Sequence, residues 1–173
     1  MIIIALSGKK RSGKNTIAKH ISLLTSVSTK EFAFADALKE EVAKICGVSV
    51  QEIETNKDLY RSLLQAWGCY ARATKSENYW IAKVLMKIRH CNAEVVFVTD
   101  VRFPNEAQWM RDCGATLVRV SRNTGLVDTH ESETALDNYK DFDSVILNTG
   151  TIDHLIHDVR EFMQKQNIPL KKD

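Results

Sequence analysis

The sequence predicts an α/β protein in which a five-stranded parallel sheet is layered between helices, and three observations carry that expectation. The apolar run Ile2-Ile3-Ile4-Ala5-Leu6 is followed at once by a polar loop bracketed by glycines, then by an amphipathic stretch carrying Ile17, Ile21 and Leu24. The run Glu94 to Thr99 is apolar almost throughout, as a parallel strand covered on both faces must be. Between and after these runs, short strand-like segments alternate with segments of helical period, the pattern that builds crossover units.

Each element can be justified in order. After the first helix, Glu31 to Ala35 has strand character, and Asp36 is a good N-cap for a helix from Ala37 to Ile45 that Gly47 ends. A short helical turn over 49–55 precedes a helix from Asp58 to about Ala73, with Leu59, Leu63, Leu64 and Trp67 on one face. A further helix from Glu77 carries Ile81, Val84, Leu85 and Ile88. No strand separates these last helices, so residues of about 49–92 form a helical excursion from the sheet. The Glu94–Thr99 strand leads to Asp100, Pro104 suits the first turn of the next helix, and Gly114 stops it. Ala115 to Val120 is a strand, 121–134 is a polar stretch without period that reads as a mobile lid, Ser144 to Leu147 is the last strand, and Ile152 to Met163 the last helix. Ligands are expected at the carboxyl ends of the strands.

The loop Gly8-Lys9-Lys10-Arg11-Ser12-Gly13-Lys14-Asn15-Thr16 has the spacing of a phosphate-binding loop. Two glycines around four residues let successive backbone N–H groups curl round phosphates at a helix N-terminus, and a following lysine adds a point charge. The fold class is therefore a P-loop NTPase-type three-layer fold. Asn15 stands where Ser or Thr is usual and the hydroxyl comes one residue later on Thr16, a displacement found in adenylate-kinase-like loops. Asp100 closes an apolar strand in the manner of a Walker B carboxylate, able to reach magnesium directly or through water. Equally it could bind a substrate group; a local cap of the Pro104 helix is the plainer alternative.

A chain of 173 residues is enough for one domain with a core, and one domain is expected. The formal charge of +2 announces no nucleic-acid partner; the loop cations Lys10 and Arg11 are expected to face the donor phosphates or an acceptor phosphate, with surface decoration as the alternative. Arg119 and Arg122 lead into the 121–134 lid. Arg61 and Arg72 lie on the excursion, where Tyr70, Tyr79 and Trp80 can stack on a base or simply fill the core. His130 has no second histidine at ligand spacing and suits a hydrogen bond that orders its loop. The cysteines Cys46, Cys69, Cys91 and Cys113 form no Cys-x-x-Cys pair and are expected as reduced thiols. No apolar run suits a membrane span or a signal peptide, so no membrane partner and a cytoplasmic location are expected.

Together these residues resemble the bacteriophage deoxynucleoside monophosphate kinases. The matching pieces are Leu6 to Thr16, Phe34-Ala-Asp-Ala-Leu-Lys39, Leu63-Leu-Gln-Ala-Trp-Gly68 with Arg72, Tyr79-Trp80, Thr99-Asp-Val-Arg-Phe-Pro-Asn-Glu-Ala107, and His130-Glu-Ser-Glu133 with Phe142-Asp143, spread over nearly the whole chain. The family more often has Asp at the position of Asn15. The resemblance implies transfer of the ATP γ-phosphoryl group to a deoxynucleoside monophosphate with Mg2+. It gives ATP to Arg11, Ser12, Gly13, Lys14, Asn15 and Thr16, and the acceptor to Lys10, Leu38, Lys39, Arg72, Trp80, Asp100, Arg102 and Glu106. Lys14, Asp100 and Arg122 are the expected catalytic groups, with Thr16 and Asp100 toward the metal. The oligomeric state, monomer or homodimer, stays open. Animal-type phosphomevalonate kinases share the Ser-Gly-Lys loop, the Asp-x-Arg strand end and a Ser-Glu, Leu-Asp-Asn, Phe-Asp tail with Ser132-Glu133, Leu136-Asp137-Asn138 and Phe142-Asp143. A nucleotide-binding regulator without kinase turnover is the reading from a different class.

Overall fold

The computed structural model describes residues 1–123, 125 and 128–171. The chain divides into two compact units, Met1–Phe32 with Cys91–Asp173, and Ala33–His90.

The first unit is built on five parallel strands, β1 (Ile2–Ser7), β2 (Thr29–Phe32), β3 (Val95–Val101), β4 (Thr116–Ser121) and β5 (Ser144–Leu147), in the order β2-β3-β1-β4-β5. The central strands β1 and β3 are buried along most of their length because helices cover both faces, which is why they read as unbroken apolar runs. The helices are α1 (Lys14–Leu24), α6 (Pro104–Asp112), α7 (Glu131–Thr134) and α8 (Ile152–Lys165). Ile4, Leu6, Val95, Phe97, Val118 and Val120 of the sheet pack with Ile17 and Ile21 of α1 and Leu155, Val159, Phe162 and Met163 of α8 in one core.

Between β1 and β3 the register runs Ala5 opposite Val98, then Ser7 opposite Val101. Two steps on β1 thus match three on β3, a bulge that places an irregular backbone at Thr99 and Asp100.

The second unit holds α2 (Phe34–Cys46), α3 (Val50–Thr55), α4 (Lys57–Thr74) and α5 (Tyr79–Arg89). Its apolar cluster is small: Val42, Ala43 and Ile53, with Leu38, Val48, Tyr60, Leu64 and Trp67 against them. Polar ties supplement it. The Glu41 carboxylate on α2 accepts from Trp67 Nε1 of α4 at 2.9 Å and from the Tyr79 hydroxyl of α5 at 2.6 Å, with Lys83 Nζ 2.8 Å away. Ser49 caps α3, its Oγ accepting from Glu52 N at 3.0 Å.

Two sequence expectations are corrected. The second strand ends at Phe32 and α2 already begins at Phe34, so Asp36 is not the N-cap; three residues in, its carboxylate accepts from Ala33 N at 3.1 Å and closes the helix start from inside. The stretch 121–134 is not loop throughout. Ser121 completes β4 and Glu131–Thr134 form α7, with His130 Nδ1 accepting from Ser132 N at 3.2 Å as the cap. Residues 124, 126 and 127 of the expected lid lie outside the described residues.

Candidate active site

The loop after β1 owes its shape to two glycines. Gly8 has φ +153° and a Cβ there would stand 2.4 Å from Val120 O; Gly13 has φ +104° and a Cβ there would stand 2.3 Å from Asn148 Nδ2. Neither position accepts a side chain, on conformation or on space. Between them Arg11 takes a left-handed φ of 61° and is exposed. Alternation of this kind turns consecutive N–H groups to one side, the concavity that binds anions. Gly13 O then accepts from Ile17 N at 3.0 Å and opens the ladder of α1, with Asn15 and Thr16 exposed on its first turn.

Lys14 is only 8% exposed, so it is not the cleft-surface residue its polarity suggests. Its Nζ donates to Gly8 O at 2.7 Å and Lys9 O at 2.9 Å. Burial, reinforced by the guanidinium of Arg102, lowers its pKa to about 8, while Glu133 and Asp100 act in the opposite sense. Ser12 is fully buried, and its Oγ has no hydrogen-bond partner among the described residues. A buried hydroxyl without a partner and, two residues on, a desolvated ammonium are donors that a polyphosphate would satisfy. The residues therefore fit the triphosphate of ATP. For Mg2+, the chain offers the Thr16 hydroxyl and the half-buried Asp100. Among the described residues no group of three His, Cys, Asp or Glu could hold a metal. Such a sparse set fits an ion that completes its shell with phosphate oxygens and water.

Around the loop the cations are held by two carboxylates that follow α7 or belong to it. Glu133, whose side chain is 6% exposed, forms an ion pair with Arg102, and its Oε2 accepts from Lys10 N at 2.9 Å. Arg102 Nη1 also donates to Ser132 O at 3.1 Å. Lys9 Nζ donates to Glu133 O and to Asp137 Oδ2, each at 2.6 Å. Arg119 on β4 donates to Ser7 Oγ at 3.2 Å and lies 3.5 Å from Asp137. Glu106, 5% exposed, accepts from Arg102 N at 2.8 Å and Phe103 N at 3.1 Å. The start of α6 is thereby capped by Glu106. Arg122 stands exposed just beyond β4.

The remaining expected residues belong to the helical unit. Lys39 is held between Asp36, at 3.1 Å, and Glu54. Leu38 and Arg72 both lie close to Gly68, where a Cβ would meet Leu38 at 3.4 Å and Arg72 at 3.9 Å. Trp80 is 3% exposed and its indole N–H donates to Gly68 O at 3.3 Å, so it packs α5 onto α4 instead of presenting an open face. Tyr70 stacks on Trp67 with centroids 5.4 Å apart, and Tyr79 packs edge-on to Trp80 at 4.8 Å, so these rings serve one another. Arg61 pairs with Asp58 at 2.9 Å at the surface.

Sequence reasoning gave no role to Glu133, Asp137 or Asn148. Glu133 stood inside a matching motif. Asn148 Nδ2 donates to Ser12 O at 2.9 Å across 136 residues of chain, and only its place just past the last strand hinted at the site.

The sequence model of the phosphomevalonate kinase family matches residues 6–115, from the end of β1 through α6. The chain belongs to this family. It is also similar to an Acanthamoeba polyphaga mimivirus protein named "Putative deoxynucleotide monophosphate kinase", 29% identical over 182 residues that cover 88% of this chain and 91% of that one. An uncharacterised protein of Ictalurid herpesvirus 1 is 31% identical over 159 residues, covering 86% of this chain and 64% of its own. The fold recurs in gluconokinase from Sinorhizobium meliloti, with a TM-score of 0.55, 13% identity and coverage of 95% and 92%. Shikimate kinase from Aquifex aeolicus follows with 0.51, 15% and coverage of 96% and 98%. The protein is a P-loop kinase, and the resemblance to nucleoside monophosphate kinases is supported by the mimivirus relative so named, matched over 88% of this chain. No helix among the described residues is long and apolar enough to cross a membrane.

Proposed function

We propose that this kinase transfers the γ-phosphoryl group of ATP to a deoxynucleoside 5′-monophosphate, giving the diphosphate and ADP, with Mg2+. The observation that carries the reading is the loop itself: Lys14 buried at 8% exposure, a Ser12 hydroxyl without a partner two residues before it, and Arg102 near enough to lower the pKa of Lys14. Both substrates then carry phosphate, and their mutual repulsion is what the cations offset. The mimivirus relative, matched over nearly the full length of both chains, favours a nucleotide as acceptor.

In this reading Arg11, Ser12, Gly13, Lys14 and Asn15 hold ATP. Thr16 and Asp100 hold Mg2+, which when bound neutralises charge on the phosphates. For the acceptor this reading takes Lys10, Asp100, Arg102 and Glu106 of the sheet unit and Leu38 and Arg72 of the helical unit, while Lys39, paired with Asp36 and Glu54, and Trp80, bonded to Gly68 O, serve the packing of the helical unit. Arg122 neutralises charge on the group in transfer when residues of about 121–134 close as a lid. The cytoplasm of a virus-infected host is the proposed setting, in keeping with the two viral relatives.

The family match favours a second acceptor, 5-phosphomevalonate, also a phosphate monoester. Release of ADP from ATP is to be measured with each deoxynucleoside monophosphate and with 5-phosphomevalonate. Stimulation by at least one deoxynucleoside monophosphate, and none by phosphomevalonate, is the expected result. The reverse pattern assigns the second acceptor, and slow hydrolysis that no acceptor stimulates makes the protein a nucleotide-binding regulator.

A further inference from the structure

We infer that Asn148 is a positioning residue for ATP: its side-chain amide sets the orientation of the Ser12–Gly13 peptide and thereby shapes the phosphate loop. The inference rests on the nucleotide reading of the loop and not on the choice of acceptor.

Asn148 follows β5 and is itself fixed, its backbone N–H donating to Ser121 O at 2.8 Å and its surface 7% exposed. Its Nδ2 donates to Ser12 O at 2.9 Å. The partner is a carbonyl oxygen, so the group facing it must be the amide NH2. The Ser12–Gly13 peptide is trans, and in a trans peptide C=O and N–H point in opposite directions. Holding the Ser12 carbonyl on one side therefore turns the Gly13 N–H to the other.

A clamp is needed because Gly13 has no side chain. A glycine reaches positive and negative φ with little penalty, so the peptide before it can rotate between two orientations. At φ +104° only one of them presents the Gly13 N–H to a phosphate while the Ser12 carbonyl is satisfied inside the protein. The same amide nitrogen would stand 2.3 Å from a Cβ at Gly13, so it also fills the space that a loop rearrangement would need. Without the clamp, the competent loop becomes a fraction of the population, and apparent affinity falls by that fraction.

Saturating ATP selects the competent loop again, which separates this role from a merely structural one. Asn148→Ala removes the donor. Asn148→Leu removes it while keeping the volume, and covers the case in which the alanine variant fails to fold. Asn148→Gln keeps an amide donor. In calorimetry with a non-hydrolysable ATP analogue, which needs no acceptor, the alanine and leucine variants should bind about tenfold more weakly, the scale of one lost hydrogen bond to a buried carbonyl. The glutamine variant should recover part of that loss. In turnover assays KM for ATP should rise by the same factor, with kcat at saturation within about threefold of wild type. A Kd within about twofold of wild type in both donorless variants overturns the inference, whatever happens to Tm. So does a fall in kcat at saturation larger than the rise in KM. Failure of the wild type to bind the analogue would instead remove the nucleotide reading itself.

Discussion

In the sheet unit Lys14 is buried against two carbonyl oxygens and under the field of Arg102, whereas in the helical unit Lys39 lies between Asp36 and Glu54 and Lys83 sits on Glu41. The consequences have opposite sign. Burial lowers the pKa of Lys14 to about 8; burial also acts to lower that of Lys39, but its carboxylate partners prevail and raise it. For Lys83 the hydrogen bond to Glu41 leads, and its pKa is raised as well. A cation whose charge the fold opposes is left wanting an anion from outside. One whose partner comes from the fold serves to join helices. By this measure Lys14 suits the proposed phosphate site, whereas Lys39 and Lys83 belong to the architecture of the helical unit.

The largest expected effect tests the first half of that contrast. Lys14→Ala should keep the fold and lose turnover by at least about 10²-fold, the scale for removing one preorganised charge-stabilising donor. Two hydrogen bonds to loop carbonyls go, but so does a desolvated charge, so Tm should move far less than for a core truncation. Turnover near wild type in a folded Lys14→Ala protein would take the catalytic role away from the loop.

A middle-sized effect is expected where the helical unit replaces apolar burial with polar ties. Burial alone would raise the Glu41 pKa, but hydrogen bonds from Lys83, Tyr79 and Trp67 outweigh it and hold the value at about 2, below the ordinary 4.5. A depressed carboxylate contributes stability that is present above its unfolded value and lost as pH falls toward its folded one. The helical unit should therefore loosen as pH falls from about 4.5 toward 2. Glu41→Gln should abolish that part of the acid dependence and cost about 1–2 kcal/mol at neutral pH. Hydrogen exchange of α4 and α5 reads it directly, and unchanged acid sensitivity in the variant would mean that the tie is not what holds them.

The legibility of the sequence follows the same division. The strands could be read because a parallel sheet covered on both faces needs apolar runs, and the phosphate loop because its chemistry is confined to nine consecutive residues. The start of α2 was misjudged because Phe32-Ala33-Phe34-Ala35 suits a strand or a buried helix equally, and what decides is the Asp36 carboxylate on Ala33 N. The helix α7 spans four residues and has no period to find. It is placed by Glu133 on Arg102 and Lys10 N, contacts over more than thirty residues of chain. Trp80 could be core or a base platform on sequence alone, and its hydrogen bond to Gly68 O puts it in the packing.

The smallest expected effect is the one that most directly measures the contrast. With lysine ε-carbons labelled, NMR titration of the protein without nucleotide and with chelator present should find Lys14 titrating near 8, and Lys39 and Lys83 above the ordinary lysine value. Arg102→Ala should raise the Lys14 value, because it removes the cation that most opposes an ammonium there. Glu133→Gln should lower it, because that carboxylate is the strongest of the groups that favour the charged form. Neither substitution should move Lys39 or Lys83, whose partners lie within the helical unit. Opposite displacements of one lysine by a cation and an anion cannot come from general loosening, which would return Lys14 toward 10.5 in both variants. If Lys14 titrated with the surface lysines in the wild type and in both variants, the ammonium would be hydrated in solution, and the sheet unit would hold its cation no differently from the helical one.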